Sequence, residues 1–182
     1  RESDTDKRQM VEWRGEARNN PKGYKPIASL KVEIPKPGTK EKRRLKVPAR
    51  RDRTLQTVYR RATDPRVEMN SDRNSFGFRK GRSTNDAVQR MRYQRGMVGN
   101  AAESVLETDV EKCFDKIAHN VMMEKTPNKP YQIRRDTWLK AGVINDLNPK
   151  GNGRVKDGDN VGTPQGSVIS PMRCNVALNG RE

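Results

Sequence analysis

The pattern of apolar and polar residues predicts two strands near the start of the chain. Residues 30–34 (LKVEI) alternate apolar and polar side chains, as a half-buried strand does, and residues 45–47 (LKV) alternate again. Residues 35–38 (PKPG) follow the first run and favour a turn. We therefore expect the two runs to pair as an antiparallel β-hairpin.

Apolar residues at helical spacing predict a helix on each side of this hairpin. A weak helical segment around Met10, Val11 and Trp13 ends at the breaker sequence NNPKG of residues 19–23. After the hairpin, apolar side chains recur at positions i, i+3, i+4 and i+7, namely Leu55, Val58, Tyr59 and Ala62. Asp52 is suited to cap this second helix, and Asp64 followed by Pro65 is expected to stop it.

Capping signals also mark two later helices. Ser83 with Asp86 three residues on has the form of a capping box, which predicts that a helix follows. In the last segment, Ser170 suits the N-cap, Pro171 suits the first helical position, and Gly180 suits the stop. Both helices are predicted from their ends more than from their apolar stripes.

The middle of the chain is less regular. Residues 104–115 (SVLETDVEKCFD) predict a short strand that carries Asp109 at its end and is followed by a turn. Residues 133–141 predict a helix, and the Asn- and Gly-rich residues that follow predict a flexible or hairpin segment. Helices and an antiparallel hairpin together indicate an α+β fold.

The net charge of the chain indicates which kind of partner it binds. Lys and Arg number 39 against 23 Asp and Glu, which gives a formal net charge of +16. Such an excess favours a polyanionic partner. No apolar run approaches the roughly 18 residues that a transmembrane helix needs, so nucleic acid is favoured over a membrane. The hydrophobic fraction is only 31% and mean hydropathy is −1.11, which predicts a thin core that gains order from a partner.

Cysteine and histidine usage argues against several kinds of site. Cys113 and Cys174 lie far apart in sequence and show no metal-ligand spacing, so a disulfide framework or a zinc site is not expected. His119 is the only histidine of the chain, which leaves a Ser-His or Cys-His catalytic scheme little to work with.

Three segments carry candidate chemistry. Residues 40–53 (KEKRRLKVPARRDR) place many cations on the predicted hairpin, which favours a phosphate-binding surface over a merely solvated one. Residues 74–83 (NSFGFRKGRS) interleave Phe76 and Phe78 with glycines and cations; they fit either a base-stacking loop or an ordinary loop with buried rings. Asp109 is suited to a divalent cation or, more simply, to capping the next element.

These segments together resemble the fingers and palm of a reverse transcriptase of the group II intron maturase type. Residues 74–83 are similar to the family signature NSYGFRPGRS, and residues 162–171 (GTPQGSVISP) are similar to GTPQGGVISP. Residues 34–38, 43–48, 108–117 and 138–143 match further motifs in the family's order, so the resemblance covers roughly residues 20–182. It implies a polar N-terminal extension at residues 1–25, a fingers-like region at 26–100, and a partial palm at 101–182.

The resemblance also implies roles for particular residues. Asp109 would hold catalytic Mg²⁺ with the Val110 main-chain carbonyl, and Phe114 would lie beneath the incoming sugar and select deoxynucleotides. Gln165 and Gly166 would form the floor of the nucleotide and template pocket. The residues expected to bind nucleotide or RNA are Lys36, Arg43, Arg44, Lys46, Arg50, Arg51, Arg53, Phe76, Phe78, Arg79, Lys80 and Arg82.

The chain departs from the family's pattern in one major respect. The YxDD motif, which supplies the remaining metal-binding aspartates, does not occur in these residues. We therefore expect RNA-directed DNA polymerase activity only if a YxDD-bearing segment, such as a second chain, completes the palm, with Mg²⁺ as its cofactor. The alternative is a non-catalytic RNA-binding component of a ribonucleoprotein, such as an organellar ribosome. Either function implies an intracellular protein, in a mitochondrion, a chloroplast or a bacterial cytoplasm.

Overall fold

The α+β fold is confirmed by a computed structural model, which describes residues 4–20, 23–38, 40–97, 106–125, 137–144, 154–155 and 161–180. The described helices are α1 (Asp4–Asn19), α2 (Arg50–Met69), α3 (Thr84–Met97), α4 (Cys113–Lys116), α5 (His119–Lys125) and α6 (Ser170–Leu178). The described strands are β1 (Ser29–Pro35), β2 (Lys42–Val47), β3 (Val143–Ile144) and β4 (Arg154–Val155). None of these helices is long and apolar enough to cross a bilayer.

The predicted hairpin is confirmed as the antiparallel pair β1–β2, with Leu30 opposite Val47 and Ile34 opposite Arg43. The sheet has the order β2-β1-β3-β4. β3 runs parallel to β1, and β4 returns antiparallel to β3, so strands from the two halves of the chain share one sheet. The hairpin predicted after residue 141 corresponds to the β3–β4 pair.

Helices α1 and α2 pack against each other beside the sheet. The weak helix predicted around Met10 is confirmed as α1, which ends at the expected breaker. Two ion pairs join it to the start of α2: Arg50 lies 2.8 Å from Asp6, and Arg51 lies 3.1 Å from Glu16. Arg51 also lies over the ring of Tyr24, 5.6 Å from its centroid.

Both predicted ends of α2 are wrong. The helix begins at Arg50 without a side-chain cap, and Asp52 is buried, where its carboxylate accepts hydrogen bonds from the Tyr24 hydroxyl and the Ile27 N–H. The helix also runs through Pro65 to Met69. Val67 is buried in the core beyond that proline, and its packing outweighs the local preference of proline to end a helix.

The main core lies where α1, α2, α6 and the turn at Trp138 meet. Its buried members are Ala17, Tyr24, Leu55, Tyr59, Val67, Trp138, Ile169, Met172 and Val176. The Trp138 ring packs edge to face on Tyr59, with centroids 5.7 Å apart, and its indole N–H donates to the Tyr24 hydroxyl at 2.8 Å. A few aromatic side chains thus supply much of the buried area of a chain with little apolar content.

The helix ends predicted at α3 and α6 are confirmed in part. The capping box is present, since the Asp86 carboxylate accepts from the Ser83 N–H at 2.6 Å and from its hydroxyl at 2.7 Å. Pro171 lies in the first turn of α6, and Gly180 follows its end with φ of +83°. Ser170 is not the N-cap, because it already lies within α6 and its hydroxyl donates to the Pro164 carbonyl at 2.8 Å.

Two predictions in the middle of the chain differ from the structure. Residues 106–110 form no strand; they are exposed, and no described strand pairs with them. Of the helix predicted at 133–141, residues 133–136 lie outside the described residues, and residues 137–141 form a turn. The buried side chains of Trp138 and Leu139 explain the apolar pattern there without a helix.

Candidate functional site

A strongly basic cavity of about 690 Å³ lies between the β1–β2 hairpin, the turn before α4, and the loop that leads to α6. Cationic side chains outnumber acidic ones along its wall, so its potential favours an anion. The lining residues are Lys31, Lys36, Glu41, Lys42, Arg43, Arg44, Lys46, Lys112, Asp115, Val143 and Gln165.

The strand register explains why four of these cations, Lys31, Lys42, Arg44 and Lys46, lie on one face of the hairpin. Lys31 lies directly opposite Lys46, and Glu33 lies opposite Arg44. Because side chains alternate between the two faces of a strand, these residues project from the same face of the hairpin. The polar face of the β1–β2 hairpin thus forms one wall of the cavity.

Two glutamates hold some of these cations in place. Glu33 lies 3.2 Å from Lys31 and 3.8 Å from Arg44, and Glu41 lies 2.5 Å from Lys36. The hydrogen bond from Lys31 lowers the pKa of the Glu33 carboxyl, and that from Lys36 lowers the pKa of Glu41. Both acids are therefore ionised at neutral pH, and they orient the lysine and arginine side chains while leaving the wall basic overall.

The loop at residues 162–166 forms one side of the cavity and is hydrogen-bonded to both β2 and α4. The Lys46 N–H donates to the Gln165 carbonyl at 2.7 Å, which ties the loop to β2. The Thr163 N–H donates to the Phe114 carbonyl at 2.6 Å, which ties it to α4. Gly166 has φ of +104°, and a Cβ there would lie 3.4 Å from the Lys46 carbonyl oxygen. This turn places Gln165 in the wall of the cavity.

His119 supports the same loop. Its Nε2 lies 2.6 Å from the Gly162 carbonyl oxygen, so that nitrogen donates the hydrogen bond. Gly162 has φ of +82°, and a Cβ there would lie only 2.7 Å from the Asp115 carbonyl oxygen. Glycine is required here both by the backbone conformation and by the close approach of α4.

Phe114, Asp109 and Val110 do not line the cavity. Phe114 is half-buried at the start of α4, and its ring packs edge to face on Phe78 at 6.2 Å between centroids. Asp109 and Val110 are exposed. The described residues include no group of three or more His, Cys, Asp or Glu side chains that could hold a metal ion. They therefore do not form a complete magnesium site.

The cations of the aromatic loop at residues 74–83, which the sequence analysis assigned to nucleotide or RNA binding, form ion pairs within the protein. Arg79 is only 8% exposed and its guanidinium pairs with Glu68 at 3.0 Å. Arg82 pairs with the same carboxylate and donates to backbone carbonyls of the loop. Lys80 pairs with Asp64 at 2.7 Å but remains exposed. Arg79 and Arg82 thus hold the loop together, because a buried or shared guanidinium is stabilised by paired oxygens.

The two phenylalanines of this loop are not both buried. Phe76 is half-buried beneath Arg82, whose guanidinium lies 5.9 Å from the ring centroid. Phe78 is 66% exposed and has φ of +58°, a conformation that a bulky side chain seldom adopts. Such backbone strain persists where the surrounding structure maintains it and is concentrated at functional sites.

The remaining predicted cations lie on α2. Arg50 and Arg51 take part in the ion pairs with α1 described above, and Arg53 is exposed. None of the three lines the basic cavity. The structure thus brings together Lys36, Arg43, Arg44, Lys46 and Gln165, and it separates them from the cations of α2 and of the aromatic loop.

The predicted site residues did not include five charged residues that line the cavity: Lys31, Glu41, Lys42, Lys112 and Asp115. For Lys31 and Lys42 the signal was the strand alternation itself, which places them on the same face as Lys46. Lys112 has φ of +52° at the turn before α4, and no residue pattern indicated that this turn approaches the hairpin.

The family profile described as reverse transcriptase (RNA-dependent DNA polymerase) matches residues 34–181. The chain belongs to the reverse transcriptase family. The match includes β2, the aromatic loop, the Asp109 turn and the closing loop, so every lining residue of the cavity except Lys31 lies within this reverse transcriptase segment.

Several curated proteins are similar to the chain. Protein YkfC of Escherichia coli is 34% identical over 161 residues, which cover 86% of this chain and 40% of YkfC. The putative COX1/OXI3 intron 1 protein of Saccharomyces cerevisiae is 30% identical over 85% of this chain and 18% of its own length. The group II intron-encoded protein LtrA of Lactococcus lactis is 26% identical over 86% of this chain and 25% of LtrA. The resemblance to group II intron-type reverse transcriptases is therefore confirmed, and the chain spans less than half the length of these relatives.

Proposed function

We propose that this reverse transcriptase chain binds RNA and that its basic cavity receives the phosphates of the nucleotide in an RNA-directed DNA polymerase of the group II intron type. The convergence of cations from the hairpin and Lys112 on the Gln165 loop carries this proposal. Cations that surround one cavity attract phosphate more strongly than the same charges spread over a surface, since low-dielectric walls focus the field.

The residues around the cavity support this function in distinct ways. Lys36 and Arg43 lie at the turn end of the hairpin and would contact phosphate groups directly. Gln165 and Gly166 would lie under the base, because the turn leaves the backbone without a side chain at Gly166. Phe114 would lie against the sugar of the nucleotide.

Magnesium belongs to the same proposal. The Asp109 carboxylate and the Val110 carbonyl are oxygen ligands of the kind that Mg²⁺ prefers. Further carboxylates would have to come from a YxDD segment, either elsewhere in a longer polypeptide or on a second chain. The described residues fit only a part of such a site.

The alternative function, a non-catalytic RNA-binding component of an organellar ribosome, is not favoured. Two of the similar proteins described above are named as intron or intron-encoded proteins, and the residues that line the cavity, except Lys31, fall within the family match. An organelle and a bacterial cell both suit the proposed function, since the relatives come from yeasts and from bacteria.

RNA binding is tested first by its salt dependence. The affinity for a structured RNA should fall steeply between about 50 and 200 mM salt, because each neutralised phosphate releases counterions. A flat dependence would contradict the electrostatic basis of the proposal.

The role of the cavity is tested by charge reversal. The double variant Arg43→Glu/Arg44→Glu should weaken RNA binding broadly and reduce the salt slope by about 1 to 2. Arg8→Glu/Arg18→Glu is the matched control, because it reverses two exposed arginines of α1 that do not line the cavity. Equal losses in the two variants would mean that net charge, rather than the cavity, determines binding.

Polymerase activity requires a chain or a pair of chains that includes YxDD. Primer extension by that assembly should be abolished by Asp109→Asn, since the amide removes a charged metal ligand. Extension that survives the substitution would remove Asp109 from the metal-binding role.

A further inference from the structure

Helix α3 presents a surface that the basic cavity does not include. Among the described residues, α3 is not packed along another helix or strand. Its side chains from Thr84 to Gly96 are exposed, except that Ala87 is half-buried. Its described attachments to the body are the Ser83–Asp86 cap and a hydrogen bond of 2.9 Å from Arg90 Nε to the Asn74 side chain. An exposed helix attached mainly by polar contacts leaves one long side open to a partner.

That side forms an open groove with the start of the aromatic loop. The groove has a volume of about 550 Å³ and is lined by Arg73, Phe76, Asp86, Gln89, Arg90 and Tyr93. Asp86, Gln89, Arg90 and Tyr93 follow one another at helical spacing, so they lie on one face of α3. The volume is within the roughly 300–1,000 Å³ of pockets that enclose small organic ligands, which leaves room for a base and its sugar.

The groove combines flat rings with cations. Tyr93 is 53% exposed, and the Arg90 guanidinium lies 5.7 Å from the centroid of its ring. Across the groove, Arg73 is exposed and Phe76 is half-buried. Aromatic rings and guanidinium planes are surfaces on which unpaired bases stack, while arginines also contact phosphate.

The one carboxylate of the groove, that of Asp86, does not cancel the positive charge around it. Asp86 accepts two hydrogen bonds from Ser83, which lower the pKa of its carboxyl and direct it toward the helix cap. Arg92 and Arg95, also exposed on α3, add positive charge close to the groove. The surroundings therefore attract a polyanion.

We infer that the groove between α3 and the loop at residues 73–76 binds a single-stranded segment of RNA, with a base stacked against Tyr93 and Arg90 and the adjoining phosphate contacted by Arg73. A duplex does not fit this chemistry, because its bases are already stacked on each other. The inference rests on the proposed RNA binding but concerns a surface that shares no lining residue with the basic cavity.

The test measures binding of the full chain to two RNA probes by fluorescence anisotropy at fixed salt. One probe is an oligouridine of about 12 nucleotides, within the length that single-strand binding proteins cover; the other is a blunt RNA duplex. Tyr93→Ala should weaken binding of oligouridine by about tenfold or more and leave duplex binding nearly unchanged. Tyr93→Phe, which keeps the ring, should bind both probes like the unmodified chain.

Met91→Ala is the matched control, since Met91 is exposed on the same helix but does not line the groove. It should bind both probes like the unmodified chain, and circular dichroism should show equal helix content in all variants. Arg73→Ala should also weaken oligouridine binding, whereas Arg92→Ala should have a smaller effect.

Each other outcome has a defined meaning. If neither RNA binds the unmodified chain, the proposed function fails together with this inference. If RNA binds and Arg43→Glu/Arg44→Glu weakens it while Tyr93→Ala does not, the groove inference alone is overturned. Equal loss of duplex and oligouridine in Tyr93→Ala also overturns it. Tyr93-dependent binding of an oligoglutamate peptide in preference to oligouridine would assign the groove to an acidic protein segment instead.

Discussion

The rings of Phe78 and Phe114 meet edge to face, with their centroids 6.2 Å apart and their planes at 89°. Phe78 belongs to the aromatic loop and Phe114 to the turn that follows Asp109, so the contact joins two motifs that are separate in sequence. Such ring pairs contribute about 0.5–1.5 kcal/mol beyond their buried area. The ring of Phe114 therefore contacts a residue whose backbone has a positive φ of +58°.

We expect Phe78→Ala and Phe114→Ala to be coupled in a double-mutant cycle. The interaction should amount to about 0.5–1.5 kcal/mol in the free energy of unfolding, measured with urea. The control cycle combines Phe78→Ala with Val11→Ala on α1, and its two effects should add. A coupling of zero for the phenylalanine pair would mean that the ring contact does not stabilise the fold.

Gly162→Ala should destabilise the closing loop more than Gly38→Ala destabilises the hairpin turn. Both glycines have positive φ, so alanine incurs backbone strain of about 1–2 kcal/mol at either position. Only at Gly162 would the new Cβ also collide with backbone, 2.7 Å from the Asp115 carbonyl oxygen, whereas nothing lies within 4 Å at Gly38. Thermal unfolding of the two variants gives the comparison, and equal shifts would contradict the close approach.

Removal of the Asp52 carboxylate should destabilise the fold because it removes the acceptor of a buried donor. In Asp52→Ala the buried Tyr24 hydroxyl loses its acceptor, at a cost of about 1–3 kcal/mol, and the partly buried Ile27 N–H loses a second hydrogen bond. Tyr24→Phe keeps the carboxylate but removes the hydroxyl, which leaves the buried Trp138 indole N–H without its acceptor. Urea unfolding at neutral pH should therefore show a loss of stability in both variants, and an Asp52→Ala variant as stable as the unmodified chain would contradict the role of the carboxylate.

Asp52 also predicts a pH dependence. Burial raises the pKa of its carboxyl above the ordinary value, although hydrogen bonds from Tyr24 and Ile27 act in the opposite direction. A raised pKa means that the folded state binds the proton more tightly than the unfolded state does. The stabilisation from this proton is fully present below the pKa of the unfolded state, and it is lost as the pH rises through the pKa of the folded state. Asparagine does not ionise, so the stability of Asp52→Asn relative to the unmodified chain should increase as the pH rises above the ordinary aspartate pKa of about 4. A constant difference would contradict the raised pKa.

Cys113 and Cys174 lie in contact, with their sulfur atoms 3.3 Å apart, although 61 positions separate them in the sequence. A small disulfide oxidant should therefore convert them to an intramolecular disulfide with loss of two protons, while two molecules of the oxidant's thiol are released. Burial raises the pKa of the Cys174 thiol to about 12, so the reaction should be slow at neutral pH and faster at high pH. Intact mass and thiol titration measure it, and Cys113→Ser should prevent it; mixed disulfides alone would contradict the contact.

Local patterns predicted the elements that depend on neighbours in sequence. The hairpin, α1 and the Ser83–Asp86 capping box follow from alternation, breakers and side-chain caps, and all three are present. The errors occur where a distant partner decides the outcome. Asp52 contacts Tyr24 and Ile27 instead of capping α2, and Pro65 remains within α2 because Val67 beyond it is buried.

The candidate site shows the same division. The sequence indicated Lys36, Arg43, Arg44, Lys46 and Gln165, which the structure brings to one cavity. It did not distinguish them from Arg79 and Arg82, whose guanidinium groups pair with Glu68 inside the aromatic loop. Residue type alone cannot separate a cation that lines a cavity from a guanidinium that holds a loop together through ion pairs and backbone hydrogen bonds.

The sequence by itself determined the family, the basic character and the types of the main elements, because motif spacing and hydrophobic period are local properties of the chain. Only the tertiary structure decided that Lys112 and the Gln165 loop meet the hairpin, that Phe78 reaches Phe114, and that α3 stands apart beside Phe76. Those relationships depend on long-range packing around Trp138, Tyr59 and Ile169. The burial of a few large side chains is favourable, and it fixes the positions of segments that contribute few buried residues themselves.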